Sequence, residues 1–155
     1  MSKVRPVPEG FHTITANFSV DGAHDAIAFY KKAFGAEEIA IAPDPSGKKV
    51  WHGDIKIGDS HLFVADANPD MNPARKNSVW MYVDNVDAWF KRATEAGAQV
   101  KMPPMDMFWG DRFASVVDKW GNEFNLATHI KDLTREEMKK AEQEFVAQMA
   151  KQQKH

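Results

Sequence analysis

From His12 to Val20 apolar and polar positions alternate strictly. Ile14, Ala16, Phe18 and Val20 fall on one side and Thr13, Thr15, Asn17 and Ser19 on the other, which predicts a half-buried strand. The period then lengthens. Ala23, Ala26, Ile27, Tyr30 and Phe34 recur at helical spacing, Asp21 stands where it can cap the first turn, and Gly35 falls where a left-handed stop belongs. Glu37 to Ala42 reads as a short strand, closed by the turn cluster Pro43-Asp44-Pro45-Ser46-Gly47. Two further runs, Lys49 to Ile57 and His61 to Ala65, join through Gly58-Asp59-Ser60 as a hairpin. The order is strand, helix, three strands.

The same order comes round again. Ser78 to Val83 alternates, Val86 to Ala96 turns Val86, Trp89, Phe90 and Ala93 inward, and Gly97 ends that helix. Ala98 to Met102 is a strand, Pro103 to Asp111 a loop carrying Met105, Met107, Phe108 and Trp109, and Arg112 to Val117 with Asn122 to Thr128 a closing hairpin. Val20 and Val83 are 83 − 20 = 63 residues apart, and the Gly58 and Gly121 turns are 121 − 58 = 63 apart. A shared offset predicts a duplicated unit. The chain thus divides into a loose lead-in (1–10, with Pro6 and Pro8), a first unit (11–67), a polar linker (68–77), a second unit (78–129) and a terminal helix with its tail (130–155). That helix starts at Asp132-Leu133-Thr134 and carries an apolar stripe, Leu133, Met138, Ala141, Phe145, Val146 and Met149, which needs a docking surface.

Composition narrows the partners. Twenty basic and 22 acidic residues give a net charge of −2, no electrostatic case for nucleic acid or an anionic membrane. There is no cysteine for a disulfide frame or thiolate, no apolar run approaching the ~20 residues of a membrane span, and no signal-peptide pattern in Met1 to Gly10, so the expected location is cytoplasmic. Five Trp and ten Phe exceed what a minimal core needs and point to a lined pocket or an interface.

The ordered set FYKKAFGAEE, KVWHGDIKIGDS, MDMFWGDRFASVVDKWGN and LATH resembles the vicinal oxygen chelate superfamily, also called the glyoxalase, bleomycin resistance and dioxygenase superfamily, in its PhnB-like branch; the resemblance covers Phe11 to Thr128. It implies an α+β fold in which two tandem βαβββ units form an incompletely closed eight-stranded barrel around a cleft, followed here by a C-terminal helix, and it implies a homodimer. It also implies four metal-ligand positions, one in the first and one in the last strand of each unit. Counting places them at Thr15, Leu62, Ser78 and Asn125, none an imidazole or carboxylate. No metal or other cofactor is therefore expected, a divalent metal being the alternative.

The expected ligand is a small organic molecule. With Thr15 and Ser78 facing the cleft, the period of two brings Thr13, Asn17, Trp80 and Tyr82 to the same side, joined by Asn125. Phe108, Trp109 and Arg112 are candidate lid residues, supplying an aromatic wall and a guanidinium for an anionic group; the plainer reading of Asp111-Arg112 is an ion pair anchoring the loop. His52 and Asp54, on one strand face, are the candidate catalytic pair, able to move a proton or, with Glu123, to hold a displaced metal in a lyase or dioxygenase. Their repeat counterparts by the common offset are Ser115 and Val117. His12, His24, His61 and His129 stand singly and are expected in surface or capping roles.

Overall fold

The computed structural model of the protein describes residues 3–153. Its elements run β1 (Ala16–Val20), α1 (Ala23–Phe34), β2 (Glu37–Pro43), β3 (Val50–Ile57), β4 (Ser60–Asp66), β5 (Ser78–Tyr82), α2 (Val86–Glu95), β6 (Gln99–Asp106), β7 (Asp111–Val117), β8 (Glu123–His129) and α3 (Arg135–Gln152). They build two four-stranded sheets, ordered β1-β4-β3-β2 and β5-β8-β7-β6. In each sheet the first strand lies parallel to the last and the other pairs are antiparallel. Two tandem βαβββ units and a C-terminal helix are therefore present. Among the described residues no ladder joins the sheets, so the barrel stays open.

Local chemistry departs from the sequence reading at four places. β1 begins at Ala16, not His12, because its partner β4 runs out: Ala16 lies opposite Leu62, only two residues into that strand, and Ile14 is left 87% exposed. Asp21 does not cap α1. Gly22 takes the cap position in a left-handed conformation (φ 95°), and Asp66 at the end of β4 accepts from the amides of Gly22 and Ala23 through Oδ1 and of Val50 through Oδ2. Pro103 and Pro104, expected in a loop, belong to β6. This is an edge strand whose register shifts between Met102 and Met105, so a missing amide hydrogen bond is tolerated there. Thr134 caps α3 by accepting from the Glu137 amide, yet no residue of α3 is buried, and the ring contact of its stripe is Phe145 against Phe108, centroids 4.9 Å apart.

One core serves both halves. α1 turns Ala23, Ala26, Ile27, Tyr30, Ala33 and Phe34 inward, and Phe124 of β8 reaches across to Phe34 (4.6 Å between ring centroids) and Tyr30 (5.4 Å). Phe34 also stacks near Trp89 of α2. At the centre of this seam a polar cluster is fully enclosed. The Tyr30 hydroxyl donates to Asp118 Oδ2 at 2.6 Å, Asn122 Nδ2 donates to the same carboxylate at 3.1 Å and to Tyr30 Oη at 3.3 Å, and the amides of Trp120 and Asn122 donate to Asp118 Oδ1. Asn122 Oδ1 in turn accepts from the backbone and side-chain nitrogens of Asn77 in the linker. Burial first, then the Asp118 charge and bond, push the Tyr30 hydroxyl well above the ordinary tyrosine range, so it remains a donor at every relevant pH.

Tyr30→Phe removes one buried bond to a charged acceptor while leaving the packing in place. Urea denaturation is expected to show a loss of about 1.5–3 kcal/mol at unchanged m-value.

Candidate functional site

The register decides which side chains face the helices and which face away. In the first sheet Ala16, Leu62 and Ile55 lie side by side, and in the second Val79, Phe124 and Val116 do. Both rows contribute to the shared core. The opposite faces carry Asn17, Phe63 and Asp54 in the first sheet and Trp80, Asn125 and Ser115 in the second. Two expectations are corrected here. Leu62 points into the core, and the residue equivalent to Asn125 is Phe63. Asp54 corresponds to Ser115, and His52 to Phe113, rather than His52 to Ser115 and Asp54 to Val117. The cause is turn length: Gly58 and Asp59 alone separate β3 from β4, whereas residues 118–122 separate β7 from β8. A constant offset cannot hold across unequal turns, and an error of one residue reverses a strand's face.

On the open face of the second sheet, Trp80 stacks on Phe113 (4.9 Å between centroids, 29° between planes) with Trp109 6.1 Å away. Ser78 accepts from Asn125 Nδ2 at 3.0 Å. Behind this wall lies Asp111, 1% exposed. Its Oδ2 accepts from the Tyr82 hydroxyl (3.0 Å) and the Trp109 indole nitrogen (2.8 Å), and its Oδ1 is 2.8 Å from Nδ1 of His129. His129 Nε2 is 2.8 Å from Asp132 Oδ1 in the lead-in to α3. Both ring nitrogens thus face carboxylate oxygens, which accept only, so the ring satisfies both when it carries both protons. The Asp111 bond first, then the Asp132 bond, raise the His129 pKa above the usual histidine range. The bond to Asp111 likewise raises that of Tyr82.

The open face of the first sheet carries the other polar group. Asp54 and His52 do share this face, but the imidazole bound to Asp54 is that of His61, at 2.8 Å and 9% side-chain exposure, rather than an exposed surface residue. Phe11 stacks on His61 (3.9 Å, 19°), while His52 stands edge-on to Phe63. Asn17 lies opposite Phe63 in the ladder; Thr13 and Thr15 precede β1.

Between the halves runs a cleft of about 710 Å³. The first half lines it with Ile14, Ala16 and the Ile57–Leu62 turn, the second with Val79–Asp84, Trp89 and Phe124. Trp80, Tyr82 and His61 belong to it. Arg112 does not: its Nε and Nη2 bind Asp87 and its Nη1 binds Asp106, so the guanidinium is the loop anchor and not a lid group. That pairing holds the Asp87 carboxyl below its usual range. Phe108 packs on Phe145 and Trp109. A smaller cavity of about 370 Å³ beside Trp51 and Met71 has its Asp66 already committed to α1.

The donor set does not fit a metal. Continuing the ladder one residue before β1 puts Thr15 level with His61, and Ser78 lies opposite Glu123. Of these, His61 is held by Asp54 and Glu123 by Lys101 at 2.6 Å, and two hydroxyls are poor ligands for a divalent ion. Among the described residues no group of three or more His, Cys, Asp or Glu could hold one. Sequence reasoning named His61, Asp111 and His129 but not the pairing of His61 with Asp54 or of His129 with Asp111. The available signal was the apolar pair Leu62 and Val64 matching Phe124 and Leu126, which sets the correct parity.

Comparison with known proteins gives a consistent answer. The sequence model of the Glyoxalase/Bleomycin resistance protein/Dioxygenase superfamily matches residues 11–126. An uncharacterized protein of Mycobacterium tuberculosis, Rv0887c, is 31% identical over 138 residues, covering 83% of this chain and 81% of that protein. The crystal structure of TioX from Micromonospora sp. ML1 superposes with a TM-score of 0.67 at 22% identity, over 77% of this chain and all of that one. A PhnB protein from Bacillus cereus, described as a putative 3-demethylubiquinone-9 3-methyltransferase, does so with a TM-score of 0.59 at 16% identity, over 76% and 99%. At these structural identities the likeness concerns the fold.

A raised histidine pKa stabilises the folded state fully below the unfolded histidine range, about 6.5, and the contribution is lost as pH rises through the folded value. The melting temperature is therefore expected to fall on going from pH 6 to pH 8.5. His129→Gln should flatten that dependence while leaving the Tyr82 bond to Asp111 intact; a parallel pH profile in the variant would contradict the assignment.

Proposed function

Because the chain belongs to the glyoxalase/bleomycin resistance protein/dioxygenase superfamily, and its cleft gathers aromatic faces rather than metal donors, we propose that it is a binding protein for a small planar organic molecule. The observation that carries this reading is a cleft of about 710 Å³ flanked by two uncovered rings, Trp80 at 47% and Tyr82 at 66% exposure. That volume lies in the range of small-molecule sites, and offset stacking on an indole contributes about 0.5–1.5 kcal/mol beyond the area buried. Trp80 is backed by Phe113 and Tyr82 is fixed through Asp111, so the wall is held in place before a ligand arrives.

One observation favours a second reading, acid/base catalysis in the same cleft. His61 lines it, and Asp54 orients the ring through Nδ1, leaving Nε2 to take or return a proton. Conversion of a bound molecule that is lost in His61→Gln, with binding retained, would favour this reading over simple sequestration.

The neutral planar probe N-phenyl-1-naphthylamine is expected to quench tryptophan emission and raise the melting temperature, and Trp80→Ala should weaken its binding about tenfold. Absence of both responses in the wild-type protein would overturn the binding-protein reading.

A further inference from the structure

The sequence suggested a guanidinium in the lid and hence an anionic group on the ligand. The structure reverses the charge. Arg112 is turned to Asp87 and Asp106, and among the described residues no lysine or arginine lines the cleft. The acidic side chains that line it are Asp59 on the β3–β4 turn and Asp84 just past β5, while Nδ1 of His61 is turned to Asp54. Resting on the proposed binding role, we infer that the ligand is a planar organic cation.

The hydrogen-bonding groups point the same way. Four cleft-lining donors are already committed: the Tyr82 hydroxyl to Asp111 (3.0 Å), the Trp89 indole nitrogen to Asp84 (3.2 Å), the Ser60 hydroxyl to Asp59 (2.8 Å) and His61 Nδ1 to Asp54. What those groups leave for a ligand is acceptor capacity, chiefly the remaining lone pairs of two carboxylates, since the Tyr82 oxygen is also met by the Trp80 indole. Asp111 is decisive for this polarity, because a fully buried carboxylate fixes the direction of the Tyr82 hydrogen. The ring faces add to it. Trp80 and Tyr82 lie side by side on β5 with ring centroids 6.3 Å apart, both exposed, and an indole is the strongest cation–π partner among the side chains. A cation stacked there meets attraction from the rings and from Asp59 and Asp84; an anion of the same shape meets repulsion from all of them.

The test uses a matched trio on the full-length protein, followed by tryptophan quenching: 1-methylquinolinium (cation), 2-methylquinoline at pH 8 (neutral) and quinoline-2-carboxylate (anion). The cation is expected to bind about five- to tenfold more tightly than the neutral compound, with the anion weakest. Asp59→Asn and Asp84→Asn should each cut the cation's affinity about three- to fivefold and leave the neutral compound unchanged, and 0.5 M NaCl should narrow the preference. Equal binding of the three, an anion preference, or no cation binding while N-phenyl-1-naphthylamine still binds would overturn the charge assignment and leave the cleft's binding role standing. Failure of every compound, N-phenyl-1-naphthylamine included, would overturn both.

Discussion

The structure depends on the hydrogen bond from Tyr30 to Asp118. Among the described residues no ladder connects the two sheets, so the halves hold together through their helices, the Phe124 ring and this enclosed polar cluster. An aromatic seam alone would let the halves slide, since apolar contacts carry little direction. Asp118 restricts that freedom: three donors of its own turn hold the carboxylate in place, and the Tyr30 hydroxyl of α1 has to meet it there. Asn122 passes the constraint to Asn77, the residue before β5. The strand that carries Trp80 and Tyr82 is therefore positioned from the centre of the molecule, and the width of the cleft follows from a bond on the other face of the sheets.

The architecture was legible in the sequence because it rests on periods. Alternation in β1 and β5, helical spacing in α1 and α2, and repeated Val-Asp and Gly-Ala landmarks are local signals that survive small errors of alignment. The site rests on parity, which does not. Asp54 meets Phe63 nine residues on whereas Ser115 meets Asn125 ten residues on, so unequal turns moved the correspondence of β4 and β8 by one, and that one residue exchanged Leu62, a core side chain, for Phe63. The partner of Asp54 was missed for a related reason: His52 is near it in sequence, but His61 is nearer across the β3–β4 ladder. Of the two readings of Arg112 the loop anchor holds and the lid does not, and its acceptors, Asp87 and Asp106, were not foreseen because they come from α2 and an edge strand whose end was expected in a loop.

Asp111 shows how a single enclosed charge can organise a surface. An ionised carboxylate removed from water costs several kcal/mol unless donors surround it. Here they come from three places: the cleft wall at Tyr82, the aromatic loop at Trp109 and the exit of the last strand at His129. Moving any one of them disturbs the others. The orientation of the ligand-facing phenol is thus coupled to the root of α3, where His129 also meets Asp132.

Asp66 bears on the order of assembly. The amides that open α1 have no acceptor of their own neighbourhood; they wait for a carboxylate more than forty residues later in the chain, which also receives the amide of Val50. A helix without a local cap nucleates poorly, and closing a loop of that length costs entropy before any contact repays it. The first unit therefore consolidates as a whole, with α1 settling when β4 arrives beside β1. A nascent chain ending before Asp66 lacks the residue that finishes its first helix.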